Sequence, residues 1–271
     1  MTKQIYKGKT SLFKEIYLNR IIIYELTRRE FKIMYSNKHL GLLWAILEPI
    51  AIMFILALVF TYLRGGGKDG EYPFPVFLLS GVTGFNFFSN SLNRATQSIR
   101  QNKYIVGRGQ FSSSLLPFVS IFFNLQTHVI ILAVSSFIFA GFGVYPSWYW
   151  FQLLYYFFAT SMLLLGLTWI TSSLILFVKD LQYIISIFTR ALFFLTPIFW
   201  DISIFPPNLK LILKLNPMYH IVDGYRSCFL YHEPFWTDKY ALIAFWSFTI
   251  IVLIFGRWFF NRLEPHFDDV I

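Results

Sequence analysis

Residues Leu115 to Gly143 read LLPFVSIFFNLQTHVIILAVSSFIFAGFG, an unbroken stretch without one Asp, Glu, Lys or Arg. A helix needs about 20 apolar residues to cross a hydrocarbon core of roughly 30 Å. This stretch exceeds that length, so it must tilt, break or project beyond the lipid. Comparable runs occur at Leu42 to Leu63, Phe74 to Leu92, Trp148 to Val178, Leu181 to Trp200 and Tyr240 to Phe260. Together they predict an all-α, polytopic integral membrane protein with six transmembrane helices. Gly81, Gly84, Asn86, Ser89 and Asn90 interrupt the second run. A break is expected there, tolerable only where protein or a wet cavity satisfies the freed backbone groups.

Composition agrees with a chain whose solvent is largely lipid. Of 271 residues, 56% are hydrophobic and 14% charged, against about a quarter charged in soluble domains. The 21% aromatic content suits lipid-facing surfaces and interfacial belts. A single cysteine, Cys228, rules out an internal disulfide. The net charge of +9 does not signal nucleic acid, because the Lys and Arg residues cluster beside apolar runs, as topology signals do. The first long apolar run begins too far in for a secretory signal peptide.

Loop charge sets the expected orientation. Residues 1–41 carry nine Lys or Arg, and Asn93 to Ser114 carries four with no acid. With six spans these segments fall on one side, together with the tail bearing Arg262. On the other side, Arg64 to Tyr72 holds two basic and two acidic residues, and Asp201 to Lys239 holds four of each. The positive-inside rule then puts both termini in the cytoplasm.

Two segments are neither spans nor simple loops. From Arg20 to Tyr35, helical projection places Glu25, Arg28, Arg29 and Lys32 on one side and Ile22, Ile23, Leu26, Ile33 and Met34 largely opposite. That pattern predicts an amphipathic helix in the cytoplasmic interface, within a tail and interface region at 1–41 that precedes a six-span domain at 42–271. Farther on, Pro206-Pro207 opens one short apolar run and Asn216-Pro217 opens another. Proline at a helix start and Asn-Pro at a break fit two short helices. Each is too short to cross, so an external re-entrant hairpin is expected at about 206–230.

Motifs for chemistry are sparse. An ATPase would carry GxxxxGK[ST] opening a helix; RGGGKDG at Arg64 to Gly70 lacks the hydroxyl residue and the preceding strand, and reads as a flexible external turn. His220, Asp223, His232 and Glu233 crowd one segment but match no metal-ligand spacing. A membrane-embedded enzyme of envelope biosynthesis would need a convergent catalytic set, and a secondary transporter would show internal repeats. No catalytic or metal residues are assigned. His128, in the third run, reads as an interhelical hydrogen-bonding residue. Arg190, about 13 Å into the fifth run at 1.5 Å per residue, would fall near the bilayer middle. Such a charge has to face protein or water, and Glu48 in the first run poses the same problem. These two could pair to brace the bundle, or line a path for a charged or hydroxyl-rich substrate.

Four strings carry a resemblance: REFKIMYSNKHLGLLWAILEPI at Arg29 to Ile50, LFVKDLQY at Leu176 to Tyr183, RALFFLTPIFW at Arg190 to Trp200, and LNPMYHIVDGYRSCFLYHE at Leu215 to Glu233. In this order, from about residue 12 to the C-terminus, the chain resembles the permease subunits of type-2 ABC exporters of lipid-linked polysaccharides. The last string resembles most closely the wall teichoic acid translocation permeases of Gram-positive bacteria, with O-antigen or capsular polysaccharide permeases as the alternative. The resemblance implies a non-catalytic subunit in the bacterial plasma membrane. It also implies a second copy of the chain, two copies of a cytoplasmic ATPase holding ATP and Mg, and an undecaprenyl-pyrophosphate-linked glycopolymer as substrate. A substrate path is expected at Arg190, Glu48, Asn86, Asn90, Phe193, Phe194 and Trp200. ATPase coupling falls to Arg100, Lys103, Tyr104, Ile105, Arg108, Lys179 and Asp180, and an external gate to Pro197, Pro207, Asn216, Pro217, Tyr219, Tyr225 and Arg226. The glycine-rich turn at Gly65 to Gly67 departs from the family pattern.

Overall fold

A computed structural model describes residues 12–35, scattered positions between 43 and 62, 68–69, 72–106 and 111–267. Glu48, Arg108 and the glycines at 65–67 lie outside the described residues, as does most of the first expected span. The described residues are helical almost throughout. Two short helices, α1 (Leu12–Leu18) and α2 (Arg20–Tyr35), lead in. A two-residue antiparallel pairing of β1 (Lys68–Asp69) with β2 (Tyr72–Pro73) follows. Then come α3 (Phe74–Thr96), the single turns α4 (Ser98–Gln101) and α5 (Lys103–Val106), and α6 (Leu116–Gly141). The chain continues through α7 (Leu153–Leu174), α8 (Leu181–Leu195), α9 (Pro207–Lys214), α10 (Pro217–Arg226) and α11 (Lys239–Leu263).

Among the described residues, three helical stretches are long and apolar enough to cross a membrane: Ser113–Gly141, Trp148–Leu174 and Lys239–His266. They contain α6, α7 and α11. Helix α3 has 23 residues, but its Gly, Ser, Thr and Asn content makes it less apolar than these three. The break expected in it does not occur. Its glycines lie inside a continuous helix, and their role is to admit another helix rather than to interrupt their own. Helix α8 stops at Leu195 rather than Trp200, because Pro197 forces Thr196 into an extended conformation, φ −92° and ψ 141°. At 1.5 Å per residue its 15 residues span about 22 Å, short of the hydrocarbon core.

Contacts fix the helix directions. Trp246 of α11 meets Tyr155 of α7 near the start of both, and Arg257 reaches Trp169 near their ends, so these two helices run parallel. Their backbones touch just before those ends, where Gly256 abuts the Gly166 carbonyl. Small residues permit such close approach between helices in lipid. Helix α6 runs the opposite way, since the Trp169 indole donates to the Ser114 carbonyl at 3.0 Å. Thr96 and Thr171 hydrogen-bond at 2.8 Å, which sets α3 parallel to α7. Phe85 packs on Phe193, and Asn93 bonds Gln182, so α8 runs antiparallel to α3. Helix α11 thus begins at the end where α7 began, and α8 is the element that carries the chain back.

Candidate functional site

Helix α10 is a wedge driven into the bundle. Pro217 occupies its first turn and the Asn216 side chain accepts from the Met218 amide at 2.9 Å, a combination that starts a helix abruptly. The following residues bury themselves against α3, α7 and α11. Gly81 and Gly84 of α3 clear the space: a Cβ at Gly81 would sit 3.1 Å from Val222 and 3.3 Å from the Arg226 guanidinium, and one at Gly84 3.0 Å from the Tyr225 ring. On the other flank, any Cβ at Gly224 would collide with the Tyr156 ring. The Tyr225 hydroxyl pairs with His128 Nε2 at 2.8 Å, halfway along α6, as the reading of His128 anticipated. The chain then turns back through a π-helical segment, Ser227–Tyr231, and Tyr72 at the head of α3 donates to the Leu230 carbonyl at 2.7 Å.

Arg226 is the chief electrostatic feature of this wedge. Only 2% exposed, it lies with its guanidinium carbon 3.6 Å from the Phe77 ring centroid and donates from Nη2 to the Ile198 carbonyl at 3.0 Å. One residue therefore ties α10 to α3 and to the buried Pro197 turn after α8. Burial pushes the neighbouring Asp223 carboxyl up to about 6, with Arg226 and a hydrogen bond from Tyr219 opposing that rise. His220 belongs to a second chain. Trp246 Nε1 can only donate, and it donates to the Tyr155 hydroxyl at 2.9 Å. The Tyr155 hydroxyl also pairs with His220 Nε2, 3.1 Å away. Burial lowers the His220 pKa to about 4, which keeps the ring neutral.

Of the expected gate residues, Pro197, Tyr219, Tyr225 and Arg226 are buried at this wedge, and Asn216 and Pro217 form its cap. Pro207, by contrast, is exposed at the start of α9. The Lys214–Asp238 ion pair, 2.6 Å, closes α9 onto the head of α11.

The expected path residues lie on the α3–α8 pair. Phe193 packs on Phe85 and Phe199, Asn86 is half-buried, and Asn90 is exposed. Arg190 is exposed on the outer face of α8, in line with Tyr183, Ile187 and Phe194, while Leu181, Ile185 and Thr189 face inward. Trp200 is half-buried beyond the Pro197 turn and packs on Phe205. Asn93 went unnoticed in the sequence. It is the hub of a polar seam, donating to Thr189 and accepting from Gln182 and Ser186 at 3.1 to 3.2 Å. The usable signal was the helical i, i+4, i+7 spacing of polar side chains in Gln182, Ser186 and Thr189, hidden within an apolar run.

At the opposite end of the bundle, α2 keeps the boundaries read from the sequence. Its Ile23 and Thr27 are buried, yet Ile22 and Ile33 are exposed. Arg94 at the foot of α3 pairs with Glu30 of α2 at 2.8 Å and lies 4.1 Å over the Phe123 ring of α6. Beyond it, Arg100, Lys103 and Tyr104 are exposed, as are Lys179 and Asp180, whereas Ile105 is partly buried against the core.

Sequence comparison decides what this assembly of helices belongs to. The profile of the ABC-2 type transporter family matches residues 22–230, from the first turn of α2 through the wedge. The chain is an ABC-2 type transporter. Its relatives include the O-antigen export system permease protein RfbA of Myxococcus xanthus, 26% identical over 96% of this chain and 99% of the relative. A Klebsiella pneumoniae protein of the same description is 25% identical over 91% of this chain and 93% of its own length. The polysialic acid transport protein KpsM of Escherichia coli is 24% identical over 91% and 95%. The ABC-2 membrane domain accounts for the helical architecture, and the wedge and the α3–α8 pair are its candidate working parts.

Proposed function

We propose that this chain is the transmembrane subunit of an ATP-driven exporter that passes a lipid-linked polysaccharide of the O-antigen or capsule kind across the plasma membrane. The observation that carries this reading is the likeness, along nearly the whole of both chains, to permeases named for O-antigen export and polysialic acid transport. A wall teichoic acid substrate is the second reading, favoured by the string at Leu215 to Glu233. It receives less support than the polysaccharide reading, because the relatives carry O-antigen and capsule names.

In this reading two copies of the chain assemble with two ATPase subunits, and the cargo is carried on undecaprenyl pyrophosphate. The alternating helix directions fit six spans with both termini in the cytoplasm, with the first span at 42–63 and with α3 and the shorter α8, met by local thinning of the bilayer, as further crossings. Helices α9 and α10 then form the external hairpin, which re-enters to mid-bundle depth at Tyr225. Exposed Arg100, Lys103, Tyr104, Lys179 and Asp180 form the ATPase contact, and Arg190 with Asn86, Asn90, Phe193 and Phe194 borders the path.

The test is deletion of the gene with complementation, reading surface glycopolymer and its lipid-linked precursor. Loss of a surface polysaccharide with precursor accumulating inside is the expected result. Loss of a phosphate-rich teichoic chain instead would support the second reading, and an unchanged envelope would overturn both.

A further inference from the structure

The groove between α6, α7 and α11 is unlike the rest of the lipid-facing surface. It encloses about 920 Å³, at the upper end of the roughly 300–1,000 Å³ usual for ligand pockets. Phe118, Phe122, Phe157, Phe158, Met162 and Trp258 are among its walls, with Ile16 of α1 at the foot. Its polar groups are concentrated at that foot. Arg257 and Asn261 lie in the last two turns of α11, and Ser161 is the other polar side chain on the wall.

The groove's length matches one leaflet. Along α7 it extends from Phe157 to Trp169, about 18 Å at 1.5 Å per residue. Along α11 it extends from Leu253 to Asn261, about 12 Å. Half of the hydrocarbon core is about 15 Å. An occupant would therefore place its chains among the phenylalanines and its polar end beside α1.

The charges at that end are mixed. Arg257 is held over the Trp169 ring at 5.3 Å and reaches Glu15 of α1 at only 3.8 Å, the long limit of an ion pair. Its Nη1 is buried with no hydrogen-bond partner among the described residues. Glu264 lies in the 3-10 turn that follows α11, seven residues beyond Arg257. A guanidinium with an unused donor suits a phosphate, and flanking carboxylates suit a primary ammonium.

We propose that this groove is a specific site for one phospholipid of the surrounding leaflet, with its acyl chains between α6, α7 and α11. Its headgroup is zwitterionic, the phosphate on Arg257 and a primary ammonium toward Glu15 and Glu264. The site lies on the far side of α7 and α11 from the wedge, and the inference does not depend on which polymer is exported.

Native mass spectrometry of the full-length chain in its assembled complex tests this, after delipidation and addition of phosphatidylethanolamine, phosphatidylcholine or phosphatidylglycerol. One phosphatidylethanolamine per chain should be retained, several-fold more tightly than phosphatidylcholine, whose methylated ammonium cannot donate. Arg257→Gln should weaken retention roughly fivefold, the effect of one basic residue at a bilayer surface. Met162→Trp should displace the lipid by filling the groove. If Met162→Trp fails to assemble, Arg257→Gln alone decides, because it leaves the walls intact. Equal retention of all three lipids, a preference for phosphatidylglycerol, or undiminished binding by both variants would overturn the proposal. So would recovery of a lipid-linked saccharide, rather than a phospholipid, that Met162→Trp displaces.

Discussion

The guanidinium of Arg226 stacks on the ring of Phe77 at 3.6 Å, joining the end of α10 to the first turn of α3. The same side chain holds the Ile198 carbonyl. A buried charge with one face on an aromatic ring and its edge on a carbonyl is costly to disturb, because truncation leaves the remaining polar groups without partners. Arg226→Met should therefore cost about 3–5 kcal/mol, the range for removing one member of a buried charge pair. Arg226→Lys should be intermediate, since it keeps the charge but loses the planar stack. Thermal unfolding in detergent, followed by fluorescence-detected size exclusion, gives the ranking; equal midpoints for Met and Lys would show that the stack contributes nothing.

Glycine positions supply a second ranking. Gly224 has no room for a methyl group against Tyr156, and Gly256 none against the Gly166 carbonyl, whereas at Gly84 the Tyr225 ring is 3.0 Å away and needs to yield by only a few tenths of an ångström. Alanine at Gly224 or Gly256 should destabilise the fold by about 1–3 kcal/mol, the usual cost of overpacking. Alanine at Gly84 should cost less. Comparable losses at all three sites would argue against the close approach of α10 to α7.

These glycines also mark where sequence reading succeeds and where it stops. Hydrophobic length finds α6, α7 and α11 directly, because solvation by lipid imposes a minimum apolar run on each. The α2 boundaries follow from helical periodicity, and the α9 and α10 starts from Pro207 and Pro217. In α3, however, Gly81 and Gly84 read as interruptions. Only partners about 140 residues away in sequence explain them, Val222 and Arg226 at Gly81 and Tyr225 at Gly84. Local pattern carries no information about such a partner. Asn93 was missed for the same reason: its meaning lies in Gln182, Ser186 and Thr189 across the helix pair.

Topology can be tested chemically, although not with the native thiol. Cys228 is fully buried, and burial pushes its pKa up to about 12, so it should resist maleimide whichever side it faces. Substitutions at exposed positions report cleanly. In intact cells an impermeant maleimide should label Trp236→Cys, beside the head of α11, and leave Lys103→Cys untouched until the cells are permeabilised. The reverse pattern would invert the orientation.

Docking of the ATPase should depend on Tyr104, which is 77% exposed beside exposed Arg100 and Lys103. Ile105 is a poor probe because its side chain packs partly against the core. An exposed ring flanked by basic residues has the composition of an interface anchor with orienting charges. Tyr104→Asp should reduce copurification of the ATPase and lower export, with the permease still present in the membrane at normal level. Undiminished copurification would remove this segment from the contact.

Arg190 gives the sharpest test of a path along α8. It sits on the exposed face of a helix whose neighbours in that stripe are Tyr183, Ile187 and Phe194, and among the described residues it makes no hydrogen bond or ion pair. A permanently charged guanidinium in such a stripe costs about 2.5–3.5 kcal/mol at a bilayer centre. Water, a second copy of the chain or an anionic group of the cargo must therefore meet it. Arg carries a planar fork of donors matched to phosphate; Lys keeps the charge without the fork, and Gln keeps some hydrogen bonding without the charge. Meanwhile α8 is held to α3 by the Asn93 seam and Phe85–Phe193, contacts that leave Arg190 untouched. Both variants should therefore fold, assemble with the ATPase and support ATP hydrolysis, and export should fall more for Arg190→Gln than for Arg190→Lys. If Arg190 instead braces the bundle against an acid such as Glu48, Arg190→Gln should lose folded protein and Arg190→Lys should retain it. Full export by a well-expressed Arg190→Gln protein would take Arg190 out of the path.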